Sequence, residues 1–155
     1  MAKYSTVDYE KENMARAIGR SLSISTKASV EICSFVRDRS TTEAKKLLSE
    51  VIELERAVPY RVYNKGLAHK RKIGPGKYPA KAAGEVIRVI ESAEANAQFK
   101  GLNTANLIIK HINAHLAAKQ WHYGRKRRRR AKRTHIEIIV QEKKPEKAKE
   151  KKAKK

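Results

Sequence analysis

Cys33 is the only cysteine in 155 residues, so no intrachain disulfide can form. Such usage suits a reducing compartment. No apolar run approaches the ~18 residues that a membrane span needs. The opening Met1-Ala2-Lys3-Tyr4-Ser5 lacks the apolar core of a secretion signal. A soluble intracellular protein is expected, with no membrane association. Catalytic constellations are also missing: the sequence has no phosphate loop, no dinucleotide fingerprint and no Gly-x-Ser-x-Gly elbow. Glu85, Glu91 and Glu94 fall within one amphipathic stretch, where a solvated helix face accounts for at least two of them. The chain reads as a non-enzyme with no cofactor and no small-molecule substrate. His111 and His115 have the four-residue spacing of metal ligands, but no glutamate lies between them and Cys33 is the only thiol. Contact with a nucleic acid or simple placement on a strand surface explains them better, and no metal site is expected.

Acidic residues are the next scarcity. Asp and Glu number 16 against 37 Lys and Arg, a formal net charge of +21. The imbalance is local. Residues 1–55 hold nine basic and nine acidic side chains, so the whole excess lies in residues 56–155. Self-repulsion of that size gains an unbound domain nothing, so a polyanionic partner is implied. The densest tract is Arg125-Lys126-Arg127-Arg128-Arg129-Arg130-Ala131-Lys132-Arg133, with eight cations in nine positions. The alternatives are a nuclear-localisation tract or a solvated charge run, but a solvated helix face would normally mix in acids, and none occurs here. Guanidinium forks match phosphate oxygens bidentately, and each cation can displace a condensed counterion.

Periodicity outlines the folded part. The series Ile18, Arg20, Leu22 and Ile24 is weakly strand-like. Ser25 can cap a helix to about Val36, with Ala28, Ile32, Phe35 and Val36 inward and Cys33 as a small core hydrophobe. Ser40-Thr41-Thr42-Glu43 is a capping box, in which the serine takes one orphan N–H and Glu43 reaches back to another. Ala44, Leu47, Leu48, Val51 and Ile52 then form the clearest helical stripe in the chain. Residues 56–78 break the pattern with Pro59, Gly66, Gly74, Pro75 and Gly76, and read as a long loop. Its cations alternate with Tyr60, Tyr63 and Tyr78, which suits phosphate contact plus stacking on unpaired bases; the alternative is a solvated loop whose tyrosines pack on the core. Pro79 and Gly101 bracket a third helix whose inner face is Ala83, Val86, Ile87, Ile90 and Ala97. Residues 135–141 alternate as a strand through Ile136, Ile138 and Val140. Residues 106–123 fit either a helix stripe or a strand; as a strand they would supply the partner, with Gly124 and the basic tract at the far end of a hairpin. Trp121 either stacks on a base or anchors that hairpin. The lysine-rich tail from 143 to 155 has no core-forming residue and reads as disordered in isolation.

Several stretches together resemble the large-subunit ribosomal protein L22 family in its archaeal and eukaryotic form, over roughly residues 12–142. They are Ser23-Ile24-Ser25-Thr26-Lys27-Ala28, Val58-Pro59-Tyr60-Arg61-Val62-Tyr63-Asn64, Gly76-Lys77-Tyr78-Pro79, Ala93-Glu94-Ala95-Asn96-Ala97, Lys100-Gly101-Leu102, Ile112-Asn113-Ala114-His115 and Thr134-His135-Ile136-Glu137. Gly124-Arg125 falls where the family has a Gly-Arg pair near its hairpin tip, although Trp121-His122-Tyr123 replaces the usual Pro-Arg-Ala.

The resemblance implies an α+β fold: three helices packed on a small three-stranded antiparallel sheet, with a long projecting β-hairpin over about 106–141. It places a single domain over 1–142, followed by the basic tail. The implied function is that of a structural constituent of the large ribosomal subunit. Such a protein binds ribosomal RNA, assists its assembly and lines the polypeptide exit tunnel with the hairpin. The implied partners are large-subunit ribosomal RNA, neighbouring large-subunit proteins and the nascent chain, at a cytoplasmic ribosome. The expected RNA-contacting residues are Lys27, Arg61, Lys65, His69, Lys70, Arg71, Lys72, Lys77, Tyr78, Trp121, Arg125, Lys126, Arg127, Arg128, Arg129, Arg130, Lys132 and Arg133. A general nucleic-acid-compacting protein is the alternative, since it needs only the charge.

Overall fold

The computed structural model describes residues 4–5 and 9–143; apart from Lys143, the expected tail lies outside the described residues. Three helices cover one face of a three-stranded antiparallel sheet of order β1-β6-β5. The strands are β1 (Met14–Leu22), β5 (Leu107–Leu116) and β6 (Thr134–Glu142). This is the expected α+β arrangement, and within residues 106–123 it makes Leu107–Leu116 a strand rather than a helix. The inward face of β1 is Ala15, Ala17 and Gly19 rather than the Ile18 series. A Cβ on Gly19 would stand 2.7 Å from Val89 Cγ2, so glycine lets the third helix lie close against the sheet.

Helix α1 (Thr26–Val36) buries Ile32, Cys33 and Val36, and burial pushes the Cys33 thiol up to about 12. Ala28 and Phe35, expected to face inward, only flank the core, while the polar Ser29 and Glu31 are buried. Ser40 caps α2 (Thr41–Ile52), its hydroxyl accepting from the Glu43 N–H at 3.2 Å. The reciprocal half of the capping box is absent, because Glu43 instead pairs with Arg39. Leu48 is fully buried, while Ile52 at the end of the stripe is exposed. Residues 38–40 pair along the free edge of β5, through Asp38 N–H to Ile109 O and Ile109 N–H to Arg39 O. That contact covers an edge that would otherwise offer unpaired backbone groups.

Helix α3 (Ala80–Phe99) starts after Pro79 and turns Ala82, Ala83, Val86, Val89, Ile90, Ala93 and Ala97 inward. Its end is a Schellman turn: Leu102 N–H reaches Ala97 O, Gly101 N–H reaches Gln98 O, and Gly101 takes φ +78. Residues 56–78 are not a featureless loop. Within them β2 (Val58–Pro59), β3 (His69–Lys70) and β4 (Gly74–Lys77) form a second small antiparallel sheet of order β2-β4-β3. Tyr60 turns inward into the larger core, and Gly76 is buried within the small sheet beside Val58 and Ile73. Glycine, proline and cations hide these very short strands from any period-two pattern.

Candidate nucleic-acid interface

β5 and β6 pair from Leu107↔Glu142 to Leu116↔Thr134 over the core. The same two chain segments stay paired beyond it. Ala117 N–H donates to Arg133 O, Ala131 N–H to Gln120 O and His122 N–H to Arg129 O. Gly124, at φ +62, opens the short 3-10 turn Gly124–Lys126 that reverses the chain. Every residue from 118 to 130 is exposed. Among the described residues, none of the cations in this stretch forms an ion pair. Arg125, Lys126, Arg127, Arg128 and Arg129 therefore crowd one exposed turn with no internal counter-charge. Trp121 bridges to Arg130 across the ladder, with the guanidinium carbon 4.1 Å from the indole centroid. One flank of the ring thus anchors the strand pair, although Trp121 remains 58% exposed.

A second basic group forms beside the start of α1. Lys27, Lys65, Lys77 and Lys132 come from four separate segments and line one cleft with Tyr60, Val62 and Tyr63. Lys27 Nζ lies 5.5 Å from the Tyr63 ring centroid. At the far corner of the small sheet, His69 and Lys70 occupy β3, and Lys70 Nζ stands 5.2 Å over the half-buried Tyr78. Arg71 and Lys72 make the exposed β3–β4 turn, with Lys72 at φ +70. Arg61 is exposed on the segment that follows β2. Arg133 differs from the other expected contacts: it is half-buried, and its Nη1 donates to Ser21 O at 3.2 Å. It ties the base of the hairpin to the end of β1 instead of joining the exposed tip.

Two buried carboxylates were not foreseen. Glu31, 1% exposed, accepts the backbone N–H groups of Arg61 (3.0 Å), Val62 (2.9 Å) and Tyr63 (2.7 Å). An acid between Ala28 and Phe35 on the apolar side of α1 was the available signal. Glu137, also 1% exposed, sits on the opposite face of the sheet from the helices. It accepts from Ser5 Oγ, from the Ser5 N–H at 3.1 Å and from His111 Nε2 at 2.9 Å, with His115 Nε2 at 3.2 Å. Burial works against its charged form, but these donors outweigh it and hold the carboxyl down at about 2. His111 and His115 therefore bracket a carboxylate on the sheet surface. No group of three or more potential metal ligands occurs among the described residues.

Residues 17–141 match the family described as ribosomal protein L22p/L17e. The chain is 42% identical over 144 residues to the large ribosomal subunit protein uL22 of Methanopyrus kandleri, covering 87% of this chain and 91% of that protein. Its identity to uL22 of Thermofilum pendens is 38% over 146 residues, covering 90% and 96%. For uL22 of Archaeoglobus fulgidus it is 41% over 114 residues, covering 72% and 74%. The paired β5–β6 segments with their basic turn and the lysine-lined cleft thus stand within a match that spans nearly all of the sheet and every helix: the chain belongs to the ribosomal protein L22p/L17e family.

Proposed function

We propose that this protein is a non-enzymatic structural constituent of the large ribosomal subunit in the cytoplasm. It binds large-subunit ribosomal RNA and contacts neighbouring large-subunit proteins. The observation that carries this reading is the exposed basic turn, whose cations have no acidic partner of their own. Such a surface can exchange its condensed counterions for phosphates, which it draws together as RNA segments converge during assembly. The globular part docks through the lysine cleft and the β3–β4 turn, using Lys27, Arg61, Lys65, His69, Lys70, Arg71, Lys72, Lys77, Tyr78 and Lys132. The hairpin end, with Trp121 and residues 125–130, enters the RNA interior, lines the exit tunnel and meets the nascent chain there. A strand pair advances roughly 3.3 Å per residue, a reach that serves entry into a crowded interior better than lying on an open surface.

Shortening the tip tests this division of labour. The ladder is still paired at His122 and Arg129, so replacing residues 123–128 with Asn-Gly should keep the register. The shortened protein should still co-sediment with large subunits at high salt, bind more weakly, and leave the RNA around the tunnel more open to chemical probing. Its log–log salt slope should fall by about 0.7–0.9 for each phosphate that the tip no longer neutralises. Unchanged probing and an unchanged slope would show that the tip does not engage RNA. Complete exclusion from subunits would make the tip, not the globular part, the principal anchor.

A further inference from the structure

We propose that the cleft beside the start of α1 receives one unpaired nucleotide of RNA, with Glu31 as the positioning residue that holds its tyrosine wall. The base would lie against Tyr63 and Val62, and the phosphate among Lys27, Lys77 and Lys132. This deepens the RNA-binding reading and rests on it.

The cleft encloses about 650 Å³, ample for a base and its phosphate. Its chemistry is mixed. Lysines from four segments give it a cationic rim, while Tyr60, Val62 and Tyr63 give it an apolar wall. An RNA duplex presents phosphates and sugars outward and would leave that wall unused. An unstacked nucleotide brings a ring and a charge together, and it matches both. Val62 is 68% exposed and Tyr63 37% exposed, so the wall is open to a ligand, whereas Tyr60, at 7%, forms its fixed floor.

The wall is held from inside. A buried carboxylate is costly unless donors saturate it, and Glu31 is saturated by three consecutive backbone N–H groups, from residues 61–63. Consecutive amides converge on one acceptor only if the backbone curls around it. Glu31, on the rigid second turn of α1, therefore sets the curl that presents Val62 and Tyr63 to the cleft. It places one face of the Tyr63 ring under the Lys27 ammonium, 5.5 Å from the ring centroid, without using any cation of the rim itself, since its own partners are all backbone groups. The negative charge stays buried, where it does not face the phosphate.

Photo-crosslinking tests the site in the full-length protein, using a single-stranded oligoribonucleotide of about eight residues that carries 4-thiouridine. The expected adduct lies within residues 60–65. Tyr63→Ala should weaken binding of this oligonucleotide roughly 5- to 150-fold at physiological salt without changing the salt slope, because a stack is not ionic, while Tyr63→Phe should stay within about twofold. Glu31→Gln, which keeps the shape but loses acceptor capacity, should move affinity in the direction of Tyr63→Ala. A duplex of equal length should compete poorly. Adducts confined to residues 121–133, an unaffected Tyr63→Ala variant or an equally competitive duplex would overturn the cleft while leaving RNA binding intact. Absence of binding to any RNA, even at low salt, would instead sink the functional reading itself. Protection of Tyr63 from nitration in assembled subunits by a crosslinkable neighbouring protein would assign the cleft to a peptide and also overturn the proposal.

Discussion

The same two chain segments build both halves of the β5–β6 hairpin, yet the halves obey different physics. From residue 107 to 116 and from 134 to 142, Leu107, Ile109, Ile112, Ile136 and Ile138 are fully buried under the helices. From 118 to 130 the backbone ladder continues, but no residue is buried. Backbone pairing alone is marginal for an isolated two-stranded ribbon. The core half is therefore stabilised by apolar burial, whereas the far half carries exposed cations and has no apolar core of its own.

The largest expected effect probes the core half. Leu48 is fully buried in the best helical stripe, so Leu48→Ala should cost about 2–5 kcal/mol in denaturant unfolding. A loss below the ~0.5 kcal/mol of an ordinary surface change would contradict the packing.

The outer face of the sheet responds to acid. Glu137 is held down at about 2 in the folded protein by Ser5 and His111, with His115 alongside, against an ordinary value of 4.5. A depressed carboxyl pKa contributes stability that is fully present above the unfolded value and is lost as pH falls through the folded one. Stability should therefore drop between pH 4.5 and about 2, by up to about 3 kcal/mol. Thermal melts of Glu137→Gln should lack this component. An identical acid profile for the variant would remove Glu137 from the account.

The smallest effect concerns the tip. Trp121 and Arg130 are both exposed and paired across the ladder, so Trp121→Ala should change global stability by no more than about 1 kcal/mol. Amide exchange should already be fast at 117–133 in the free wild-type protein, while the helices at 41–52 and 80–99 are protected. Uniform protection across the tip would mean that it belongs to the folded core, and the contrast between the two halves would collapse.

The sequence alone determined the features that act over short range. The Ser40 cap, the stripe through Leu48, the glycine stop at Gly101 and the basic tract all depend on residues within a turn or two of each other. Helix boundaries, the charge boundary near residue 55 and the basic turn were legible for that reason. Family resemblance, not periodicity, distinguished β5 from a helix. Tertiary structure alone decided three further features. β6 became the central strand, and Tyr4, Ser5 and Tyr9 came to lie near its outer side, so residues 136–140 are all buried where alternation suggested a half-exposed strand. The residues of the supposed 56–78 loop found one another as a small sheet. Glu31 reached residues 61–63, some 30 positions away in sequence. Each of these depends on which distant groups the packed chain brings within hydrogen-bond range. A buried carboxylate looks like a solvated one until its donors are in place, and those donors are backbone amides, which every non-proline residue carries and which therefore leave no mark in the sequence.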